Sequence, residues 1–196
     1  MPFTRENFLR ELNQYGKKWG HPPSLAADEQ REVFQRFYDF VATEPECFSR
    51  SLLSGHVTGS AVIVTQNFSK VLLTHHRKLN EWLQLGGHAD GDPEPAQVAL
   101  REGEEESGLQ DLRFVPLAPT SLFDLDIHWI PPHKKDLGHF HYDARYLLST
   151  HHESGIRITE ESKDLRWFTL EEAYAQSTQW SMHRLFDKLK YVRENL

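Results

Sequence analysis

The sequence predicts an α/β (α+β) chain, a β-sheet interleaved with helices and preceded by a helical extension. Three observations carry that assignment. Up to Val41 the apolar residues recur every three or four positions. From Val57 they change to short β-branched or apolar runs bounded by turn residues. Helical spacing then returns over Pro95 to Ser107 and again in the last segments of the chain.

Phe3, Phe8, Leu9, Leu12 and Tyr15 form the first helical stripe, with Thr4 as its N-cap. "GHPP" at 20–23 breaks the chain, and Val33, Phe34, Phe37, Phe40 and Val41 form a second stripe that ends near Pro45. "VTGSAVIVT" and "KVLLTHH", joined by "QNFS", read as a hairpin, and "WLQL" as a short strand leading into Gly86. The helix ending at Ser107 has a glycine C-cap in Gly108; Asp92 reads as its N-cap and Pro93 as its first residue. "LRFVPLAPTSLFDLDIHWI" and "GHFHYDARYLLST" read as two strands separated by "PPHKKDLG". "LRWFTL" is the last strand, and "LEEAYAQS" and "SMHRLFDKLKYVREN" close the chain as helices. Residues 1–50 are thus expected to form a helical extension packed on a core domain of residues 51–196.

A chain of 196 residues suits one core domain with such an extension. The net charge of -7 argues against binding to nucleic acid or to an anionic membrane, so a polyanionic substrate would need bound cations. One cysteine, Cys47, excludes an intramolecular disulfide and a cysteine-based zinc site. The N-terminal segment has no apolar signal region and no apolar run approaches about 20 residues, so a soluble cytoplasmic protein is expected.

The helix over 95–107 carries four glutamates in the five positions 102–106. Glu102, Glu105 and Glu106 stand at i, i+3 and i+4 and share one face, while Ala96, Ala99, Leu100 and Gly103 form a stripe that can pack on a sheet. Like charges at such spacings destabilise a helix by a few tenths of a kcal/mol per pair, roughly. A solvated charged face would explain the acidity, but not the glycine pair Gly86–Gly87 upstream or Arg101 at the head of the cluster. Oxygen donors converging without cysteine suit Mg²⁺ or Mn²⁺, which bridge phosphate oxygens and activate water. Gly86 and Gly87 would let a peptide carbonyl approach as a further ligand.

The stretch from Gly87 to Leu109 resembles the Nudix box, G-x5-E-x7-R-E-U-x-E-E-x-G-U with U aliphatic. Gly87, Arg101, Glu102, Glu105, Glu106, Gly108 and Leu109 fall in register, and the flanking strands extend the resemblance from about Gly55 to Ala173. It implies the Nudix fold, a mixed β-sheet sandwiched between helices, and hydrolysis by metal-activated water of a nucleoside diphosphate linked to another moiety. It implies Glu105 and Glu106 as principal metal ligands, Glu102 as the third, the Gly87 carbonyl as a further ligand, and Arg101 as the residue that orients the glutamates. The resemblance also implies a catalytic base on a late loop, where Glu160 and Glu161 stand; Glu161 is the candidate. The sequence departs from the pattern twice: Pro93 replaces the first glutamate, with Asp92 or Glu94 as substitutes, and Gly103 stands where an aliphatic residue is usual.

"GHFHYDARYLL" alternates, so His139, His141, Asp143 and Arg145 share one strand face, opposite Phe140, Tyr142, Ala144 and Tyr146. The polar row reads either as a partly exposed face or as phosphate-contacting or acid–base residues. Asp124, Asp126 and His128 repeat the spacing and, with His133, could hold a second metal. Trp129, Tyr142 and Trp167 are candidates to stack on a base, and otherwise core residues. Arg77 and Lys78, after His75 and His76, could meet phosphates or simply solvate a turn.

The expected function is therefore a Mg²⁺- or Mn²⁺-dependent pyrophosphate hydrolase acting on a small nucleotide, with the ADP-ribose or sugar-nucleotide class favoured by the late-loop glutamates. Nucleoside triphosphates and dinucleoside polyphosphates stay open. The alternative from another class is a nucleotide-sensing module with the same fold and little catalysis. An isopentenyl diphosphate isomerase is set aside, because Cys47 precedes the core. The apolar stripes of the first two helices are expected to pack on the protein's own sheet or on a second subunit, as in a homodimer.

Overall fold

The computed structural model describes residues 2–19, 27–132, 137–160 and 162–195. "GHPP" at 20–23, His133 and Glu161 lie outside them. The elements run α1 (Arg5–Trp19), α2 (Ala27–Thr43), β1 (Gly55–Thr65), β2 (Lys70–His76), β3 (Trp82–Leu83), β4 (Leu85–His88), α3 (Pro95–Ser107), β5 (Arg113–Phe114), β6 (Leu122–Ile130), β7 (His139–Thr150), β8 (Ser162–Thr169), α4 (Leu170–Gln176) and α5 (Trp180–Asn195). The fold class is α+β with a mixed sheet, as the sequence predicts.

The sheet has eight strands in the order β3-β2-β1-β7-β5, with β4 beside β1, β6 beside β7 and β8 beside β2. β1 and β2 form the expected antiparallel hairpin, in register Ile63↔Leu72. Its turn closes by Phe68 N–H donating to the Thr65 carbonyl at 2.8 Å, and Phe68 takes a φ of 55°.

Two strands are shorter than expected. "WLQL" splits at Gln84 into β3, paired with β2, and β4, paired with β1. The run from Leu112 to Ile130 breaks into β5 and β6 because Pro116 and Pro119 have no N–H for a ladder, and Thr120 N–H closes a turn on the Leu117 carbonyl.

By contact the chain divides into two compact units: Met1–Ser60, Gly87–Ala99 and Pro116–Tyr146; and Ala61–Gly86, Leu100–Val115 and Leu147–Leu196. In the first, α1 and α2 pack together and on β6. Phe8, Leu12, Tyr15 and Trp19 are the buried face of α1, and Phe8 and Phe37 meet edge to face at 6.2 Å. The helix starts as its sequence suggests, with the Thr4 hydroxyl accepting from Asn7 N–H. Its Glu11 is a half-buried acid whose two oxygens accept from Thr120 Oγ1 at 2.7 Å and from Tyr146 OH at 2.9 Å. Burial raises the Glu11 pKa despite those two bonds, and burial followed by the adjacent Glu11 raises that of Tyr146.

In the second unit, Ala61, Ile63, Leu72, Leu85, Leu109 and Leu112 belong to the core cluster, and α4 packs on β2 and β8 and against α5. Thr169 caps α4 with a full capping box, its hydroxyl accepting from Glu172 N–H while the Glu172 carboxylate accepts from Thr169 N–H.

Leu12 is fully buried. Leu12→Ala is expected to lower unfolding stability by about 2–5 kcal/mol. Urea denaturation followed by circular dichroism reads this, and an unchanged midpoint would show that α1 is a detachable appendage.

Candidate active site

The element that carries the acidic row begins one proline later than the sequence suggests. Pro95, not Pro93, is the first residue of α3, and Gln97 and Val98 N–H groups both donate to the Glu94 carbonyl. Pro95 fits there because the first turn of a helix has no use for its missing N–H. Asp92 is not the helix cap. Its carboxylate accepts from Glu94 N–H at 2.9 Å, an Asx-type turn that delivers the chain to the helix. Pro93 and Glu94 therefore precede α3, and the phase of about 100° per helical residue does not govern them.

The C-terminus is as expected: Gly108 takes a φ of 77°, and its N–H donates to the Glu104 carbonyl at 2.8 Å. The buried stripe includes Val98 and Ala99, whereas Ala96 is only partly covered. A Cβ on Gly103 would lie 3.0 Å from Ala61 Cβ and 3.1 Å from Leu112 Cδ1, so the glycine that costs helix propensity is what lets the helix lie close to β1. Gly59 on β1 does the same at the other end of α3, where a Cβ would meet the Pro95 carbonyl oxygen at 2.5 Å.

With the apolar side seated, the acidic residues face outward. Arg101 Nη2 donates to Glu102 Oε1 at 2.9 Å, a charge-assisted bond between neighbours in sequence. Glu106 Oε2 accepts from Gly86 N–H at 3.1 Å, so the first glycine of the pair presents its amide to the acidic row. Glu105 is exposed, and Gly87 is half-buried on β4. Like charges repel, and here Glu102 and Glu106 each turn to an available donor. Their oxygens do not form a close three-carboxylate cluster among the described residues. The donor set is all oxygen, which suits Mg²⁺ or Mn²⁺ and fits no soft ion.

A NUDIX domain family model matches residues 55–189, more than half of the chain. The chain belongs to the Nudix family. It is a hydrolase acting on phosphoanhydride bonds. Similar solved structures include a C. elegans Ap4A hydrolase in a binary complex, with 17% identity, a TM-score of 0.57, and coverage of 71% of this chain and 98% of that one. The E. coli dihydroneopterin triphosphate pyrophosphohydrolase has 20% identity and a TM-score of 0.52, covering 67% and 92%. A Nudix hydrolase from Clostridium perfringens has 25% identity and a TM-score of 0.50, covering 70% and 97%. A search of curated proteins finds no significant match. Helices α1 and α2 lie outside the residues matched by the Nudix model.

Several candidates read from the sequence prove to be structural in this Nudix chain. Asp143 does not contact solvent-borne phosphate. It is 1% exposed, and its Oδ1 accepts from Thr58 Oγ1 at 2.9 Å and Ser60 Oγ at 2.7 Å. Its Oδ2 accepts from Arg145 Nε at 3.0 Å, while Arg145 Nη1 reaches Asp124 at 3.2 Å and Nη2 reaches Asp126 at 3.0 Å. Burial opposes the charge on Arg145, but Asp126, Asp143 and Asp124 more than offset it and raise its pKa. Asp124 and Asp126 are thereby drawn to a guanidinium.

Tyr142 is not a platform for a base, because Phe40 stacks on its ring at 3.7 Å and Phe37 meets it edge-on at 5.6 Å. Trp167 packs against the core cluster of the second unit and donates to the Glu153 carbonyl. Arg77 is committed to backbone, donating to the Glu160 and Ser162 carbonyls at 2.8 and 2.9 Å. Lys78 is exposed in the loop before β3, and Trp129 is 52% exposed with its ring edge-on to Phe140.

His139 and His141 do come together, in company the sequence reading missed. His56 on β1 and His88 on β4 join them: the His56 ring lies 4.9 Å from that of His139, 4.8 Å from His141 and 5.1 Å from His88. His128 stands opposite His141 across the β6–β7 ladder, with ring centroids 5.4 Å apart. Burial, then the neighbouring imidazoles, pushes His56 down to about 4 and His141 down to about 2, so both are neutral at pH 7. Isolated histidines on separate strands carry no spacing signal, which is why only the strand pairing reveals the group.

Arg145→Met is expected to lower stability by about 3–5 kcal/mol, because it strands buried carboxylates. Thermal and urea unfolding measure it. A loss below about 1 kcal/mol, the scale of a surface pair, would contradict the network's role.

Proposed function

We propose that the chain hydrolyses the pyrophosphate bond of a nucleoside diphosphate linked to another moiety, with Mg²⁺ or Mn²⁺ held by Glu102, Glu105 and Glu106 and by the Gly87 carbonyl. The observation that carries this reading is the restraint at each end of the acidic row: Arg101 on Glu102 and the Gly86 amide on Glu106. Held in this way, two of the three carboxylates are restrained before a cation arrives. An ion held there would supply charge neutralisation at phosphate oxygens and acidification of a coordinated water. Arg101 keeps Glu102 in place. The Gly86 amide, donating to Oε2, fixes the direction of the Glu106 carboxylate. Glu161, in the late loop where family members place a base, is the candidate to accept the proton from the attacking water.

Among substrates, ADP-ribose and sugar nucleotides are favoured by the paired late-loop glutamates, Glu160 and Glu161. The similarity to an Ap4A hydrolase makes dinucleoside polyphosphates the second class to try. The exposed Trp129 is a surface on which a base could stack, and Lys78 a cation within reach of solvent-borne phosphate. The sensor alternative drew its support from Pro93, which replaces the family's first glutamate. That support weakens with Arg101 already bonded to Glu102 and Pro93 outside the helix.

The test is hydrolysis of a panel of ADP-ribose, sugar nucleotides, dinucleoside polyphosphates and nucleoside triphosphates with Mg²⁺ or Mn²⁺. One class is expected to turn over, and Glu106→Gln is expected to lower kcat by about 10²–10³-fold, the scale for losing one preorganised electrostatic group. Saturable nucleotide binding without turnover by the unsubstituted protein would instead establish the sensor.

A further inference from the structure

We propose that His56, His139 and His141 form a second metal site, a nitrogen-donor site for a late first-row ion of the Zn²⁺ class, distinct in chemistry from the carboxylate row of α3. One ligand nitrogen from each of the three lies within 4.8 Å of the others. His139 Nε2 and His141 Nε2 are 3.3 Å apart. Ligands about 2.0–2.1 Å from a tetrahedral zinc stand roughly 3.3–3.4 Å from one another, so this pair already spans one edge of such a site. The strand supplies that spacing, since residues two apart on β7 point to the same face, and β1 is the neighbour that brings His56 alongside.

His56 provides the independent reason to expect a ligand. It is 2% exposed, and among the described residues neither Nδ1 nor Nε2 has a hydrogen-bond partner. A buried imidazole with both nitrogens unsatisfied is costly, and coordination to an ion satisfies one of them.

The surrounding bonds set the tautomers that ligation requires. His139 Nδ1–H donates to the Leu137 carbonyl at 2.8 Å, which leaves the Nε2 lone pair directed at His141. His128 Nδ1 pairs with Asp126 Oδ2 at 3.1 Å, the carboxylate–histidine arrangement found behind metal ligands, and its ring borders that of His141. His128 is thus the candidate for a fourth position.

Imidazole donors select Zn²⁺ and its neighbours, whereas Mg²⁺ and Mn²⁺ prefer the oxygens of α3.

The experiment uses the full chain, purified without a histidine tag, stripped with chelator and then titrated with Co²⁺ and Zn²⁺. Stoichiometric Co²⁺ binding with the visible bands of a tetrahedral nitrogen-ligated ion is expected, and displacement by Zn²⁺ should abolish them. Glu105→Gln/Glu106→Gln should retain this binding in full, and His139→Ala/His141→Ala should lose it. Absence of stoichiometric binding in the unsubstituted chain would overturn the proposal, as would loss with the glutamates and retention without the histidines. Should the histidine variant not fold, imidazole ¹H–¹⁵N spectra of the unsubstituted chain decide. Shifts of His56, His139 and His141 on adding Zn²⁺ support the site, and unmoved resonances overturn it.

Discussion

Everything about the acidic row depends on how closely α3 can approach β1. The approach is steric in origin: β1 has no side chain at Gly59 where Pro95 and Ala99 press in, and α3 has none at Gly103 where Ala61 does. A glycine in mid-helix costs about 1 kcal/mol of intrinsic propensity, and burial of Val98, Ala99 and Leu100 against the sheet offsets it. With that face fixed, the glutamates at the next positions have only one direction left, outward. The opening of β4 then places the Gly86 amide where Glu106 can take it. Packing, rather than attraction among the acids, is what arranges the acids.

A different constraint governs β6 and β7. There three aspartates surround one arginine in the interior, with Thr58 and Ser60 on β1 completing the set of donors. Such a network is expensive to desolvate, and its compensation lies in complete hydrogen bonding. The same alternation that turns Asp143 and Arg145 inward turns Tyr142 and Tyr146 to the opposite face, where Phe40 and Glu11 receive them. The N-terminal helices are tied to β7 by both an aromatic stack and the half-buried carboxylate of Glu11.

Much of this was legible in the residues. The C-terminal limit of α3, its glycine cap, the β1–β2 hairpin and the family itself follow from local spacing, because each depends on neighbours in sequence. The Asp92 cap was misplaced because two prolines, Pro93 and Pro95, both satisfy the rule for a first helical residue, and only the Asx turn at Asp92 decides between them. The roles of Asp143 and Tyr142 were not legible, since alternation gives a side chain's face but not what lies across from it. His56 and His88 were invisible as partners of His139 and His141 for the same reason: strand pairing, not spacing, brings them together.

Mn²⁺ binding followed by electron paramagnetic resonance decides whether the α3 carboxylates hold a hard divalent cation. The unsubstituted chain is expected to quench the multiline signal of free Mn²⁺, Glu105→Gln/Glu106→Gln to restore it, and His139→Ala/His141→Ala not to. Equal quenching by the glutamate variant and the unsubstituted chain would contradict a carboxylate site.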